Sequence, residues 1–315
     1  MKFSTTVPIA RSGKSIGYGS RILLLGSCFA SNMAEKFSMY RFRYEVNPFG
    51  ILFQPTAIAG FINACISGKI YGPDDVFESR GSWHHFQAHS QMDGASADAM
   101  CLSLNDAVLL GRENILHATH VFITLGTAWA YRHRETGQLV ANCHKLPQVH
   151  FSKELLSVDT IGESLDRIIQ TLQQVNPSAQ IVFTVSPVRH IKDGFVHNQR
   201  SKANLIAALH EALDRFAGVG YFPAYEIMMD ELRDYRFYAP DMIHPGGVAI
   251  DYIWERFADV WIADEARPVM AEVESIVRRL AHRPFNPASA DHGAFRASLE
   301  SDIAVITARF PHMQF

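Results

Sequence analysis

The chain has 315 residues, 48% of them hydrophobic and 19% charged, and 29 Lys and Arg against 32 Asp and Glu leave a formal net charge of -3. That is enough apolar material for a large core, and no basic field favours nucleic acid or an anionic membrane as a partner. The longest apolar runs, such as RILLLG and HVFITLG, are too short to span a bilayer.

The N-terminal stretch MKFSTTVPIARSGKSIGYGS has no apolar h-region, so no secretory signal is expected. RILLLGS (21–27) is a continuous apolar run and reads as a strand covered on both faces, with SNMAEKFSMY following as a helix. TAIAGFINACIS and SLNDAVLLGRENILHA read as the next helices, and HVFITLGT (120–127) as the second strand. DTIGESLDRIIQTLQQV is a helix that stops at Asn176-Pro177, and QIVFTVSP (180–187) is the third strand. SKANLIAALHEALDRFAG then reads as a helix with Ser201 as candidate N-cap. GVGYFPAYEIMMD offers a short fourth strand and a turn of helix. GGVAIDYIWERFADVWIADEA and RPVMAEVESIVRRLAHRPF are amphipathic helices, and GAFRASLESDIAVITARF gives the tail a helical pattern.

Strands alternating with helices imply a parallel sheet with right-handed crossovers, hence a three-layer α/β/α fold. The expected organisation is one α/β domain over residues 1–283 and a helical tail over 284–315 packed on it. Residues 68–101, rich in Gly, Ser, Asp and His, and residues 127–150, polar and aromatic without a clear period, read as insertions. Both adjoin strand ends and are candidate walls of a site. Cys28, Cys65, Cys101 and Cys143 are scattered, with no C-x-x-C pair, which suits a reduced, cytoplasmic compartment.

Ligands of open α/β sheets gather at the carboxyl ends of the strands. Ser27 sits there on the first strand, and also at the amino end of the next helix, where free N–H groups favour negative charge. Two readings are open at this point. Ser27 is a nucleophile, or it only caps the helix, as serine often does. Cys28 is a rival nucleophile, because a helix N-terminus can lower a thiol pKa. Near the far end, APDMIHPGG (239–247) places Asp241 three residues before His244. Such a turn can set a carboxylate on imidazole Nδ1 and free the other nitrogen for a serine, as in a triad. The plainer reading is an Asx turn carrying a surface histidine.

GSCFA at 26–30 and DMIHPGG at 241–247 resemble the GSCFA family, which is related to the SGNH (GDSL-like) hydrolases. NPFGILFQP (47–55), TLGTAW (124–129), TVSPVRH (184–190) and the HRPFNP tail also resemble family segments. The resemblance implies a mostly parallel, flavodoxin-like SGNH fold and acyl-ester chemistry. It implies Ser27 as nucleophile, Asp241 and His244 as acid and base, and Gly50 in the role of oxyanion glycine. One departure stands out: SGNH enzymes carry G-x-N after a middle strand, and here that strand ends Gly126-Thr127-Ala128-Trp129. Thr127, Asn47, His89 and Arg189 are the candidate replacements for the missing donor, each also a candidate substrate contact.

SWHHFQAHS (82–90) groups His84, His85 and His89, but the Glu of H-E-x-x-H is absent, so no metal is expected and His89 and Trp83 read as pocket wall. Arg189 and His190 read equally as an anion site or as a rim ion pair. No dinucleotide or phosphate-loop glycine pattern occurs. Together these readings point to a cytoplasmic serine esterase without a cofactor, acting on an acyl ester or thioester of a small molecule or glycan. An acyltransferase using the same acyl-enzyme, and a non-catalytic binding module of the same fold, are the alternatives.

Overall fold

The computed structural model describes residues 5–283, 285 and 289–315. The expected tail boundary and the HRPFNP segment reach Pro284, Asn286 and Pro287, which lie outside the described residues, as do residues 1–4. The elements are β1 (Arg21–Gly26), α1 (Cys28–Met39), β2 (Arg43–Val46), α2 (Pro55–Ser67), β3 (Phe77–Ser79), β4 (Ser82–His84), α3 (Ala97–His117), β5 (His120–Leu125), β6 (Trp129–His133), β7 (Leu139–Val140) and β8 (Phe151–Leu155). They continue with α4 (Val158–Val175), β9 (Gln180–Val185), α5 (Phe195–Arg215), β10 (Gly220–Tyr221), α6 (Ala224–Glu226), α7 (Gly247–Trp261), α8 (Ala266–Leu280) and α9 (Ala290–Arg309).

Successive side chains of a strand point to opposite faces, so a strand covered on both sides must be apolar throughout. In β1, Leu23 and Leu25 join one core cluster while Ile22 and Leu24 join the other. The first cluster lies under α2, α3, α4 and α5, through residues such as Phe61, Leu104, Ile168 and Leu205. The second is built by α1, α7, α8 and α9, through Phe37, Phe257, Val273 and Ile306. These two helical layers sandwich the sheet, the three-layer arrangement expected from the strand-helix alternation.

The central sheet is parallel throughout, in the order β10-β9-β5-β1-β2. Ranked by chain position among themselves, these strands run 2-1-3-4-5, the flavodoxin-like order, with its topological switch point between β1 and β5. Ser27 and Gly126 follow directly on those two strands.

β2 escaped the sequence reading because Arg43-Tyr44-Glu45-Val46 is a short, polar edge strand, the usual protection of a sheet edge. The 127–150 insertion is not a plain loop. Together with β8 it forms the antiparallel sheet β7-β6-β8. Its cross-strand pairing is polar and aromatic, with Arg132 Nη2 2.6 Å from Glu154 and Lys153 over the Trp129 ring at 5.1 Å, so no apolar alternation announced it. β3 and β4 form a hairpin inside the 68–101 insertion.

One position of the β1 turn tolerates no side chain. Gly26 has φ +121°, and a Cβ there meets Thr124 O at 2.1 Å. Gly26→Ala is therefore expected to destabilise by at least about 3 kcal/mol, read as a lowered denaturant midpoint. An unchanged midpoint is incompatible with this backbone path.

Candidate active site

Ser27 stands at the N-cap position of α1 in extended backbone, φ -73° and ψ 174°, yet its side chain caps nothing. Other serines at equivalent positions do cap: Ser96 Oγ accepts from Ala99 N–H and Ser157 Oγ from Thr160 N–H, each at 3.1 Å. An N-cap bond contributes about 1 kcal/mol, and Ser27 forgoes it. The side chain is fully enclosed, and Oγ has no hydrogen-bond partner among the described residues. The simple capping role is thus excluded for this hydroxyl. Gly126 leaves the room above it, since a Cβ there stands 3.2 Å from Ser27 Cβ.

Asn47 follows the last residue of β2, where its N–H donates to Leu24 O at 3.0 Å. Its φ of +46° is left-handed, a conformation that Asn visits more readily than most residues. Gly26 N–H donates to Asn47 Oδ1 at 2.7 Å. That bond fixes the amide orientation, because only the oxygen can accept. Nδ2 is left buried and without a partner among the described residues. An orphan donor on a side chain pinned to Gly26 therefore accompanies an orphan hydroxyl on the next residue.

The Ser27 amide and that of Gly50, the expected oxyanion glycine, are both committed elsewhere. Ser27 N–H donates to Thr124 O at 3.1 Å and Gly50 N–H to Asn47 O at 2.7 Å. Gly50 instead serves close packing: with φ +72°, its missing Cβ leaves room for His89 Cβ, 2.5 Å from that point. Thr127 is also engaged. Its hydroxyl lies 3.0 Å from Ser201 Oγ and accepts from Trp129 N–H at 3.1 Å, and its own N–H donates to Phe53 O. Ser201 is not a helix cap. α5 starts earlier, after Gly194, and Ser201 lies buried within it, accepting from Ala128 N–H at 2.7 Å. His89 is an N-cap, its Nδ1 accepting from Gln91 N–H at 3.3 Å, and burial lowers its pKa. His85 Nδ1 accepts from Gln87 N–H at 3.2 Å.

Asp241 and His244 are brought together. Asp241 Oδ2 is 2.6 Å from His244 Nδ1, while Oδ1 accepts from the N–H groups of Ile243 and His244 at 2.9 and 3.0 Å. The Asx turn and the carboxylate–imidazole pair are one structure, not alternatives. The hydrogen bond from His244 is the leading reason that Asp241 is held at a pKa of about 2. The imidazole is half-exposed, and Ser27 Oγ is unpartnered, so the two are not in hydrogen-bonding contact in this state.

Arg189 serves the same loop. Its N–H donates to Ile243 O at 3.2 Å, its guanidinium donates to Met242 O, and its Cζ lies 4.2 Å from the Tyr238 ring centroid. Among the described residues it makes no ion pair, so the rim-pair reading falls. His190 is half-buried, and desolvation, followed by Lys202 and His244, pushes its pKa down to about 3. Its Nε2 is a further buried atom without a partner among the described residues.

Sequence reasoning missed Lys202, taken as a mere helix-opening residue. It is fully buried, donating to Gly126 O at 2.8 Å and Ser186 O at 2.7 Å. It thereby ties the peptides that follow β5 and β9. A lysine two turns inside an amphipathic helix carries no sequence mark of burial. Burial lowers its pKa to about 7. Since this lies below the unfolded value, the folded chain binds fewer protons between about pH 7 and 10.5. Lys202 thus costs stability at and below neutral pH, and the cost is relieved as pH rises. Wild type is expected to gain on the order of a few kcal/mol over Lys202→Met across that window, read from urea midpoints at each pH. Parallel pH dependences contradict this.

Cys28 is a weak rival to Ser27. Burial raises its thiol pKa, against the smaller lowering by Lys202 and the amides that open α1. A cavity of about 570 Å³, lined by residues such as Gly220, Tyr221 and Trp261, lies at the amino ends of β9 and β10, away from Ser27. Among the described residues, no helix is long and apolar enough to cross a membrane.

The GSCFA family model matches residues 21–257, and the model of the GSCFA domain protein C-terminal domain matches residues 273–315. No curated protein matches the sequence. Among solved structures, an acetyl xylan esterase from the rumen bacterium Butyrivibrio proteoclasticus is similar at 11% identity and TM-score 0.38, over 81% of this chain and 64% of that one. An acetyl esterase mutant with acetate ion is similar at 10% identity and TM-score 0.35, over 81% and 99%. A carbohydrate esterase family 3 structure from Talaromyces cellulolyticus is similar at 9% identity and TM-score 0.34, over 80% and 99%. Likeness this distant says nothing of chemistry.

Proposed function

The chain belongs to the GSCFA family, and from that premise we propose that it is an SGNH-like serine esterase that cleaves an acyl ester or thioester. The observation that carries this reading is the Ser27 hydroxyl. It is buried, unpartnered and withheld from its capping bond, at the switch point of a parallel sheet.

In this reading Ser27 Oγ attacks the acyl carbonyl and His244 Nε2 takes its proton, with Asp241 holding Nδ1. Asn47 Nδ2 donates to the oxyanion in place of the asparagine missing after β5, and the positive end of α1 adds its field. The tetrahedral intermediate collapses to an acyl-enzyme as the leaving alcohol or thiol carries off the proton. Water, losing a proton to His244, attacks the acyl carbonyl, and His244 returns that proton to Ser27 Oγ as the acid leaves. Bringing His244 to Ser27 requires the exposed 239–245 loop to close on bound substrate. Contacts of this kind tighten in the Michaelis complex of many enzymes.

A fluorophosphonate probe and a short-chain p-nitrophenyl ester test the proposal. The expected result is one adduct, located on Ser27 by peptide mass analysis, with turnover lost in His244→Ala. Labelling of Cys28, or no adduct at all, removes the esterase reading, and the latter favours a binding module. Loss of labelling in His190→Ala but not His244→Ala reassigns the base to His190.

Acyl transfer is a second reading, favoured by the complete enclosure of Ser27, which shields an acyl-enzyme from water. Adding sugars, alcohols or amines to the turnover mixture separates the two. Transferred product in excess of free acid marks a transferase.

A further inference from the structure

A side-chain cluster outside the Ser27 region has a hydrogen-bonding pattern that protons alone do not resolve. His84 ends β4, Asp93 follows in the same insertion, and His144 comes from the segment after β7. His84 Nε2 lies 3.1 Å from Ser79 O, and His144 Nε2 lies 2.9 Å from His85 O. A carbonyl only accepts, so each Nε2 carries the hydrogen and each neutral ring presents a lone pair at Nδ1. Both Nδ1 atoms lie close to one atom, Asp93 Oδ1, at 2.8 Å for His84 and 3.3 Å for His144. All three atoms are buried without a hydrogen-bond partner among the described residues, and the ligand atoms of the cluster lie within 4.8 Å of one another.

Three electron-pair donors converging on one point repel one another unless a cation stands among them. Protonating one ring satisfies one contact and leaves the other. Protonating both places two imidazolium rings, 4.6 Å apart between centroids, against a single carboxylate. We propose that His84 Nδ1, His144 Nδ1 and the Asp93 carboxylate bind one zinc-type divalent ion.

The chemistry of the set fits. Two imidazoles and a carboxylate, with a fourth position for water, suit a borderline divalent ion. Ligand bonds of about 2.0–2.1 Å place tetrahedral donors about 3.3 Å apart, near the 2.8 and 3.3 Å that separate the two Nδ1 atoms from Asp93 Oδ1. Each ring already donates its other N–H to a backbone carbonyl, the outer support that fixes the tautomer of metal-bound histidine. Phe77 packs against both rings, at 5.5 and 5.9 Å between centroids. The His144 side chain is fully buried, whereas Asp93 retains 23% exposure and leaves the open position toward solvent.

Such an ion staples the two insertions together, beside the bond from Ala141 N–H to Phe86 O. The same insertion carries His89, which packs on Gly50 and donates its N–H to Phe49 O. The staple therefore backs the turn that holds Asn47. This departs from the expectation of no metal, which rested on the absent Glu of an H-E-x-x-H pattern.

The test uses tag-free, chelator-stripped full-length protein and no turnover measurement, so it stands apart from the esterase reading. After equilibration with Zn²⁺ and removal of free ion, one zinc per chain is expected by elemental mass spectrometry. Zinc absorption-edge spectra should show a nitrogen and oxygen shell with two imidazoles at about 2.0–2.1 Å. The wild-type melting temperature should rise with Zn²⁺ by mass action. Asp93→Asn and His144→Gln should weaken zinc affinity at least about 100-fold, while His117→Gln, on an exposed face of α3, leaves it unchanged. Wild type retaining no zinc, retention undiminished in Asp93→Asn and His144→Gln, or sulfur in the zinc shell overturns the proposal. The wild-type spectra decide the matter even if a variant fails to fold.

Discussion

Ser27→Ala is expected to abolish turnover and probe labelling while making the protein more stable. Removing a triad nucleophile costs on the order of four to six decades in kcat. The structural side is the opposite of the usual serine-to-alanine loss. Ser27 Oγ holds no cap bond and no other partner among the described residues, so alanine breaks nothing and relieves a buried, unsatisfied hydroxyl. A gain of about 1 kcal/mol follows, a rise in melting temperature of about 1–2 °C for 315 residues. Steady-state assay and a thermal melt on the same preparation read both effects. Retained turnover excludes Ser27 as nucleophile. A drop in melting temperature shows instead that the hydroxyl does structural work.

Asn47 offers a second large effect that two substitutions separate. The side chain has two functions: Oδ1 accepts from Gly26 N–H, and Nδ2 is the unpaired donor. Asn47→Gly keeps the left-handed backbone accessible and removes both. It is expected to lower kcat about 100- to 1,000-fold, the usual loss of one oxyanion donor, and to destabilise by about 1 kcal/mol. Asn47→Asp restores the acceptor for Gly26 and puts an oxygen where the donor stood. The kcat should stay low although the Gly26 bond is kept, with KM little changed in both variants. An Asn47→Asp enzyme with normal kcat would falsify the oxyanion assignment.

The parts of the site differ in how far they could be read from the residues. Asp241 and His244 are local: three positions apart in a turn, they meet through short-range geometry, and the D-x-x-H spacing announced it. The position of Ser27 at the end of β1 was equally legible, because a continuous apolar run ending in Gly-Ser marks where a buried strand stops. Its lack of a cap bond was not, since that depends on where the side chain lies in the folded turn. Asn47 entered as one of several candidate donors. It stands out only once the polar edge strand β2, invisible to hydrophobic patterning, is paired in register with β1. Gly50 and Thr127 carried the expected residue types, but their N–H groups are taken, by Asn47 O within a turn and by Phe53 O from a distant segment.

Local rules suffice for the layers of this protein: doubly covered strands demand unbroken apolar runs, and helices demand one apolar stripe, so strand-helix alternation foretells the three-layer sandwich. Convergence of distant polar atoms follows no such rule. Lys202 on its two carbonyls, the unpaired Asn47 amide, and His84, Asp93 and His144 around one point come from separate segments, and only the folded backbone brings them within bonding distance. Their energies depend on burial and on which partner each lone pair or N–H meets, and neither quantity exists until the chain has closed around them.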